Sequence, residues 1–582
     1  MSKIFPFLLI TALIVFSFQK EQKLKGTPIS LSCDSLSRGK AFDGDFSTEF
    51  KSALKSDGWV GLKFDFQYTI TKIGYLHKES NGADYILGLF EGANDESFID
   101  SVPLFMIKNQ NLENQMNYIN INVTKPFKFI RYIGPTEKYS VISEFEVYGY
   151  QGEDKIGTIY EQMYQLTNIP SMVINTENNE VPIDKIKKIK CNINIIDNGK
   201  LKSKKAVIKL RGNSSMKVEK KGYKIQFESE FNPLDFPHEG ITFNLISNYF
   251  DKSLIRNLLG YKISTLFEFP YTITCKSIDL IFNGNFRGNY LLCEQIEVSK
   301  NRIPITEMSE DDIYEPEISG GYLLEIDGYA KENNYYSETD KGLLYVIKYP
   351  KEDNIRQEQR EYIENFMNLM EKNVYENNVD LIDIDSFVNY FLMNEFVGDS
   401  DQVWSSYYIH KERNEYKLRF GPFWDFDLAF ENGVSVYSVN QKNNYLFKYC
   451  EFAGTIIDFT IKLLNNTEIL DSIKERWEYM KLYKLVKNDL FEYIDDIYEY
   501  IKESAKLNFM RWNVLNQRLL CGGPVLYGSH EGEVKGVKEY IDKRFDTLTR
   551  VIYNTTEESL LEKVDTFWGP NGKWIGCNLN IS

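Results

Sequence analysis

Gly421-Pro-Phe-Trp-Asp-Phe-Asp-Leu-Ala-Phe430 decides how this 582-residue chain is read. It follows a strand-like run, Lys417-Leu-Arg-Phe420, and sets Asp425 and Asp427 two residues apart among large apolar side chains. Residues i and i+2 of an extended segment face the same side, so both carboxylates reach toward one point. Two carboxylates that close repel unless a cation or a basic side chain joins them. A metal site fits this pattern, with Asp425 the leading ligand and Asp427 the second. The plainer reading is a pair of aspartates capping a turn.

Moving outward, 385–397 spaces its apolar residues three and four apart, as a helix does. Asp399 and Asp401 follow in a loop before Trp404. Further upstream, Tyr223-Lys-Ile-Gln-Phe227 reads as a strand on which Lys224 points away from Tyr223 and Ile225. Just before it, Leu210-Arg-Gly-Asn-Ser-Ser215 offers Arg211, a glycine turn and the hydroxyls of Ser214 and Ser215. Small residues and hydroxyls let a backbone approach phosphate, although the Gly-Lys-Ser/Thr of a Walker loop is missing. Glu294 falls in the apolar strand Tyr290-Leu-Leu-Cys-Glu-Gln-Ile296, where a lone charge is costly and wants a partner. Arg256 either contacts phosphate or pairs with Asp251 at a helix start.

Taken in order, Leu210–Phe227, Asn248–Asn257, Gly288–Ile296 and Asn394–Phe430 closely resemble the spore-coat protein H (CotH) kinase family, over roughly 165–550. The resemblance implies an atypical protein kinase. It uses ATP with Mg2+ or Mn2+ and phosphorylates Ser/Thr of secreted or cell-surface proteins. It places the catalytic acid at Asp401, with Asp399 the alternative, and Lys224 on the phosphates with Arg211, Ser214 and Ser215. Asp425 and Asp427 become metal ligands, resembling a kinase Asp-Phe-Gly segment with aspartate for glycine. Glu294 either faces adenine or pairs with a lysine. The chain departs from ordinary kinases in lacking G-x-G-x-x-G, His-Arg-Asp and a clear second metal-binding Asn after Asp401. The same family carries a second expectation, a non-catalytic surface adhesin or coat protein. Asn213 is formally a sequon, but a glycan there would block a nucleotide, so it is expected to be bare.

Residues 27–150 read differently. Gly58–Phe66, Ile70–Tyr75 and Phe127–Ile133 are short strand-like runs separated by polar turns, which indicates an antiparallel sandwich. Ala41-Phe-Asp-Gly-Asp45 with Thr48, the strand opened by Trp59, and the closing Glu144-Phe-Glu-Val-Tyr-Gly149 resemble the discoidin or coagulation-factor type C family. That likeness implies a galactose-binding-like jelly roll whose end loops take a glycan or lipid headgroup. It also implies Ca2+ near Asp43 and Asp45, carboxylates suited to a hard cation. Asp-Gly-Asp is equally a good turn. The expected fold is therefore multidomain: an N-terminal antiparallel β-sandwich plus an α+β, two-lobed, atypical protein-kinase-like domain. The expected division is a signal peptide over 1–19, the sandwich over 27–150, a linker over 151–168 with helical tendency over 151–165, the kinase-like domain over 169–550 and a tail over 551–582.

Composition narrows the class. The formal charge of −16 and the absence of a long Lys/Arg stripe argue against nucleic acid as a partner. Four scattered histidines make a His-built zinc site improbable. Ile4–Phe18 is an apolar run followed by polar residues, which reads as a signal peptide, with an uncleaved anchor the alternative, so the expected location is the secretory pathway or outside the cell. Sequons at Asn122, Asn465, Asn554 and Asn580 are consistent with that route. Among seven cysteines there is no C-x-x-C; Cys275 and Cys293, on two strand-like runs joined by a turn, are a plausible couple.

Overall fold

The computed structural model describes residues 20–33, 36–56, 58–78, 84–154, 160, 162–332, 335–432, 444–450, 454–519 and 525–561. The expected signal peptide and most of the expected tail lie outside them. Two compact units partition the chain, the first made chiefly of residues through Leu166 and the second chiefly of residues from Thr167.

The first unit holds β1 (Gln22–Lys23), β2 (Thr27–Leu31), β3 (Phe50–Lys55), β4 (Trp59–Leu76), β5 (Leu89–Ala93), β6 (Val102–Met106), β7 (Asn117–Asn120), β8 (Pro126–Ile133), β9 (Tyr139–Ile142) and β10 (Glu144–Gln151). One eight-stranded sheet runs β1-β10-β4-β8-β5-β6, with β2 and β7 also pairing β4, and β3-β9 form a small second sheet. The alternation that marks β10 as a strand is the burial pattern itself: Phe145 and Val147 are buried, Glu146 and Tyr148 are not. One expectation is corrected. Gly58–Phe66 and Ile70–Tyr75 are not two strands but one, β4, of 18 residues. The polar stretch between them makes no turn; the register with β8 shifts between Lys63 and Tyr68. A bulge there absorbs the extra residues and leaves Asp65 and Phe66 exposed while the ladder continues. No helix occurs among the described residues of 151–165, and 155–159 and 161 of that expected connector lie outside them.

The second unit begins with β11 (Ser171–Thr176), β12 (Ile189–Asp197), β13 (Lys200–Arg211), β14 (Gly222–Phe231), β15 (Gly240–Ile246), β16 (Cys275–Phe282) and β17 (Asn285–Glu294). They close into a barrel in the order β11-β12-β13-β14-β15-β17-β16. Parallel pairing of β11 with β16 makes the closure. Its interior is apolar, with Ile174, Ile193, Ile208, Ile225, Phe243 and Leu292 all fully or nearly buried. The helix α1 (Arg256–Leu266) interrupts the strands, as the sequence predicts. Arg256 pairs with Asp251 at 2.6 Å with both side chains buried, the structural choice of the two readings.

Then come β18 (Tyr322–Ile326), β19 (Ser337–Glu338), β20 (Leu344–Tyr349), β21 (Tyr407–Lys411) and β22 (Leu418–Phe420), forming a five-stranded sheet β19-β20-β18-β21-β22. Helices surround it: α2 (Gln357–Tyr375), α3 (Ile384–Val397), α4 (Gly454–Leu464), α5 (Thr467–Tyr479), α6 (Lys487–Arg511), α7 (His530–Tyr553) and α8 (Glu557–Leu561). α3 is buried along most of its length, from Phe387 to Val397. Its buried Glu395 is matched by the buried Arg544 of α7 at 2.9 Å. The same carboxylate accepts the N–H groups of Leu446 and Phe447.

His77 gives the first unit a pH signature. It is buried, stacks on Tyr85 at 4.5 Å and shares a hydrogen bond of 3.2 Å with the Tyr132 hydroxyl. Burial pushes its pKa down to about 3. The folded state therefore holds it neutral, while the unfolded chain protonates near the usual value of about 6.5. Its stabilising contribution is complete above pH 6.5 and is lost as the pH falls toward 3. Urea unfolding of the wild type should lose about 2 kcal/mol between pH 7.5 and pH 5 through this group, and His77→Gln should flatten that slope.

Candidate functional site

Charges are sorted across one cleft of about 1120 Å3 in the second unit. Ile208 and Leu210 on β13, with Tyr223 and Ile225 on β14, point into the barrel. Alternation then sets Lys209, Arg211 and Lys224 on the outer wall, where they line the cleft. The strand register places Lys209 directly opposite Lys224. Burial, then the neighbouring charges of Lys209, Lys351 and Arg211, pushes Lys224 down to about 8. Among the described cleft lysines, Lys348 is the one ion-paired to a carboxylate, Glu325 at 2.7 Å. The Arg211 guanidinium lies over the Trp424 ring, 4.9 Å from its centroid. After Arg211 the chain turns through Gly212, at a φ of +96°, into a single turn over Ser214–Met216. Ser214 and Ser215 line the cleft from there.

The facing wall is acidic. α3 ends at Gly398, whose left-handed φ of 68° closes the helix onto Asn394. Asp399 is buried; one of its oxygens accepts the Asp401 N–H at 3.0 Å and the other has no partner. Asp401 opens the next turn and lines the cleft, whereas Asp399 does not. Burial, with Asp425, Asp327 and Glu325 nearby, pushes Asp401 up to about 7. The Gln402 side chain donates to the Trp424 carbonyl, which ties this turn to the Trp-Asp-Phe-Asp segment. α1 holds that segment from behind: the Phe426 N–H donates to Asn257 at 2.8 Å, and the Asp425 N–H points to the Tyr261 hydroxyl at 3.5 Å. Asp425 sits at a φ of 69°, a conformation aspartate tolerates better than most residues. Burial raises its pKa and Arg211 opposes the rise. Asp427 is raised well above the usual range, by burial and then by Asp425, Asp399 and Asp401.

The fold thus gathers Arg211, Ser214, Ser215, Lys224, Asp401, Asp425 and Asp427 around one space. Glu294 stands apart. It is buried off the cleft lining, and its carboxylate accepts the Thr274 N–H at 2.9 Å. Glu325, Asp327, Lys348 and Lys351 belong to the lining and were not singled out in the sequence. The signal was present in Leu324-Glu-Ile-Asp327, where Leu324 and Ile326 are buried and alternation turns Glu325 and Asp327 to the other face.

Among the described residues, no three His, Cys, Asp or Glu side chains form a ready-made metal site. The donor set nevertheless fits a nucleotide with its cation. The carboxylates raise one another's pKa, a repulsion a divalent ion relieves, and the opposite wall carries cations suited to phosphate. Asp425 and Asp427 would hold the cation, with Lys224 and Arg211 on the phosphates.

The family model for "CotH kinase protein" matches residues 208–548. The chain belongs to the CotH kinase family. Its CotH domain begins on β13, the strand of Lys209 and Arg211, and ends in α7, so Arg211, Lys224, Asp401, Asp425 and Asp427 all fall within the match. Among curated proteins no match was found. The N-terminal region is similar to solved sugar-binding and type C modules. The CBM62 of Xyl5A from Clostridium thermocellum is 28% identical, covering 23% of this chain and 99% of that one, with a TM-score of 0.22. An F5/8 type C domain from Bacteroides fragilis is 16% identical, covering 23% and 98%, at 0.20. A CBM32 of CpGH89 from Clostridium perfringens is 15% identical, covering 22% and 93%, at 0.18.

In the first unit, the Asp-Gly-Asp loop is a turn closed by its own hydrogen bonds. Asp43 accepts from the Thr48 hydroxyl at 2.9 Å, while the Asp45 carboxylate is taken by the N–H and hydroxyl of Ser47. The second carboxylate at the loop is Glu144, which accepts the Gly44 N–H at 3.1 Å. Burial pushes Glu144 up to about 7, with Asp43 adding to the rise. A separate cavity of about 380 Å3 is lined by Lys51, Lys55, His77, Tyr85, Tyr132 and Lys138 among others.

Thermal melting checks the cleft. Mg-ATP at about 100 times its Kd should raise the melting temperature by roughly 5 °C, and Lys224→Met should remove most of that rise.

Proposed function

We propose that the CotH domain is a kinase that transfers the γ-phosphoryl group of ATP, with Mg2+ or Mn2+, to serine or threonine of secreted or surface proteins. The single observation that carries this reading is the opposition of Arg211 and Lys224 to Asp401, Asp425 and Asp427 across one cleft. Bound nucleotide and metal would supply the transferred group and neutralise its charge; phosphoryl transfer asks little more of a protein than positioning and electrostatics. Lys224 and Arg211 hold anionic oxygens from the barrel side. Asp401, with its pKa near 7, accepts the proton of an incoming hydroxyl when ionised. Gln402 keeps Asp401 and Asp425 in register through Trp424. Trp404 and Trp424 line the same space.

The apolar leader at Ile4–Phe18 supports work in the secretory pathway or outside the cell. The cavity of the first unit, with lysines around tyrosine faces, supports glycan or headgroup binding that positions the kinase. The Asp43-Gly-Asp45 pattern, with the Glu144 carboxylate beside it on the Gly44 N–H, supports Ca2+ near Asp43 and Asp45 that braces the loop.

Two measurements test the reading. With labelled ATP and a protein acceptor, Asp401→Asn and Asp425→Ala should each cut label transfer about 100-fold or more; transfer absent from the wild type, or unmoved by both changes, removes the kinase. At pH 7.5, Ca2+ should raise the melting of the first unit, EGTA should reverse it, and Glu144→Gln should abolish the effect.

A further inference from the structure

Cys275 opens β16 and Cys293 lies next to the end of β17, its neighbour in the barrel. At the open end of this hairpin the Glu294 N–H donates to the Thr274 carbonyl at 3.1 Å. That bond sets Glu294 opposite Thr274, and so Cys293 opposite Cys275. Bonded and non-bonded pairs alternate along an antiparallel ladder, so the cysteines occupy the close, non-bonded kind, with Cα atoms about 4.5 Å apart. A disulfide accepts Cα separations of about 4.4–6.8 Å. Both sulfurs are free thiols on the same face, 2.9 Å apart. Cys293 is fully buried and Cys275 partly exposed. The pair also has a neighbour that matters: Tyr261, the buried side chain whose hydroxyl faces the Asp425 N–H at 3.5 Å.

We propose that Cys275 and Cys293 are a disulfide-forming pair that locks the open end of the β16–β17 hairpin behind Tyr261 and the Asp425 segment. The partly exposed Cys275, as thiolate, attacks one sulfur of a small disulfide such as oxidised glutathione. The glutathione S–S bond breaks and one glutathione thiolate leaves. Cys293 then loses its proton and attacks the Cys275 sulfur, which forms the intrachain bond and expels the second glutathione. Two cysteine thiols lose two electrons, one glutathione disulfide gains them, and the two protons end on the released thiols. Burial holds the Cys275 thiol well above its usual pKa, so the exchange is slow at neutral pH and quickens in alkali.

The full chain is incubated natively with oxidised glutathione, alkylated, digested and mapped by mass spectrometry. The expected result is one peptide pair joined through Cys275 and Cys293, lighter by two hydrogens. Melting should rise by roughly 5 °C on oxidation, with dithiothreitol reversing it, and Cys275→Ser should show neither link nor rise. Alkylation of both cysteines after full exposure, a glutathione adduct persisting on Cys275, or a bond from either to another cysteine overturns the proposal. The wild-type map decides by itself, so a poorly folding variant does not obscure the answer.

Discussion

A closed barrel has no open edge and one filled interior, and that constraint organises the second unit. Every residue of β13 and β14 faces either the apolar core or the outside. Lys209, Arg211 and Lys224 are thereby forced onto a single outer wall, in a register that fixes their spacing. Paired strands on both sides already fix the Lys224 backbone, so only side-chain freedom remains to be lost when it meets an anion. Burial first, and then the like charges of Lys209, Lys351 and Arg211, lowers the pKa of Lys224, so an anion arriving here relieves both costs.

Across the cleft the constraint is different, because the acidic residues sit on loops. Their positions come from three anchors: the left-handed end of α3, the Gln402 bond to Trp424, and the Asn257 bond from α1 to Phe426. Each anchor satisfies a backbone group that would otherwise be buried unpaired. Raised carboxylate pKa values on this wall and a lowered lysine on the other are two faces of one stored imbalance. Such opposed shifts are common where a fold has been shaped to receive a charged ligand.

Much of this was legible in the chain. Tyr223-Lys-Ile-Gln-Phe227 gave away the direction of Lys224 because alternation is a local property. Helix α3 announced itself by spacing, and so did the loop that follows. The long β4 was misread because a bulge and a turn share the same polar residues, and only the partner strand decides between them. Glu325 and Asp327 were passed over because their strand is matched to the cleft by β20 and by β21, the latter far away in sequence. Glu294 drew attention as a lone charge, yet it needed no ligand: the Thr274 N–H satisfies it. For Asp45, the nearby Ser47 competes for the carboxylate, which composition alone does not reveal.

The buried pair of Glu395 and Arg544 carries a consequence for where the CotH domain stops. Glu395 lies on the helix that delivers Asp401, and its charge is met by a guanidinium roughly 150 residues further along the chain. A fragment cut before α7 would keep every residue of the cleft but strand that carboxylate in an apolar interior, where an uncompensated charge costs about 3–5 kcal/mol. The last long helix is thus a keystone for a cleft it never touches.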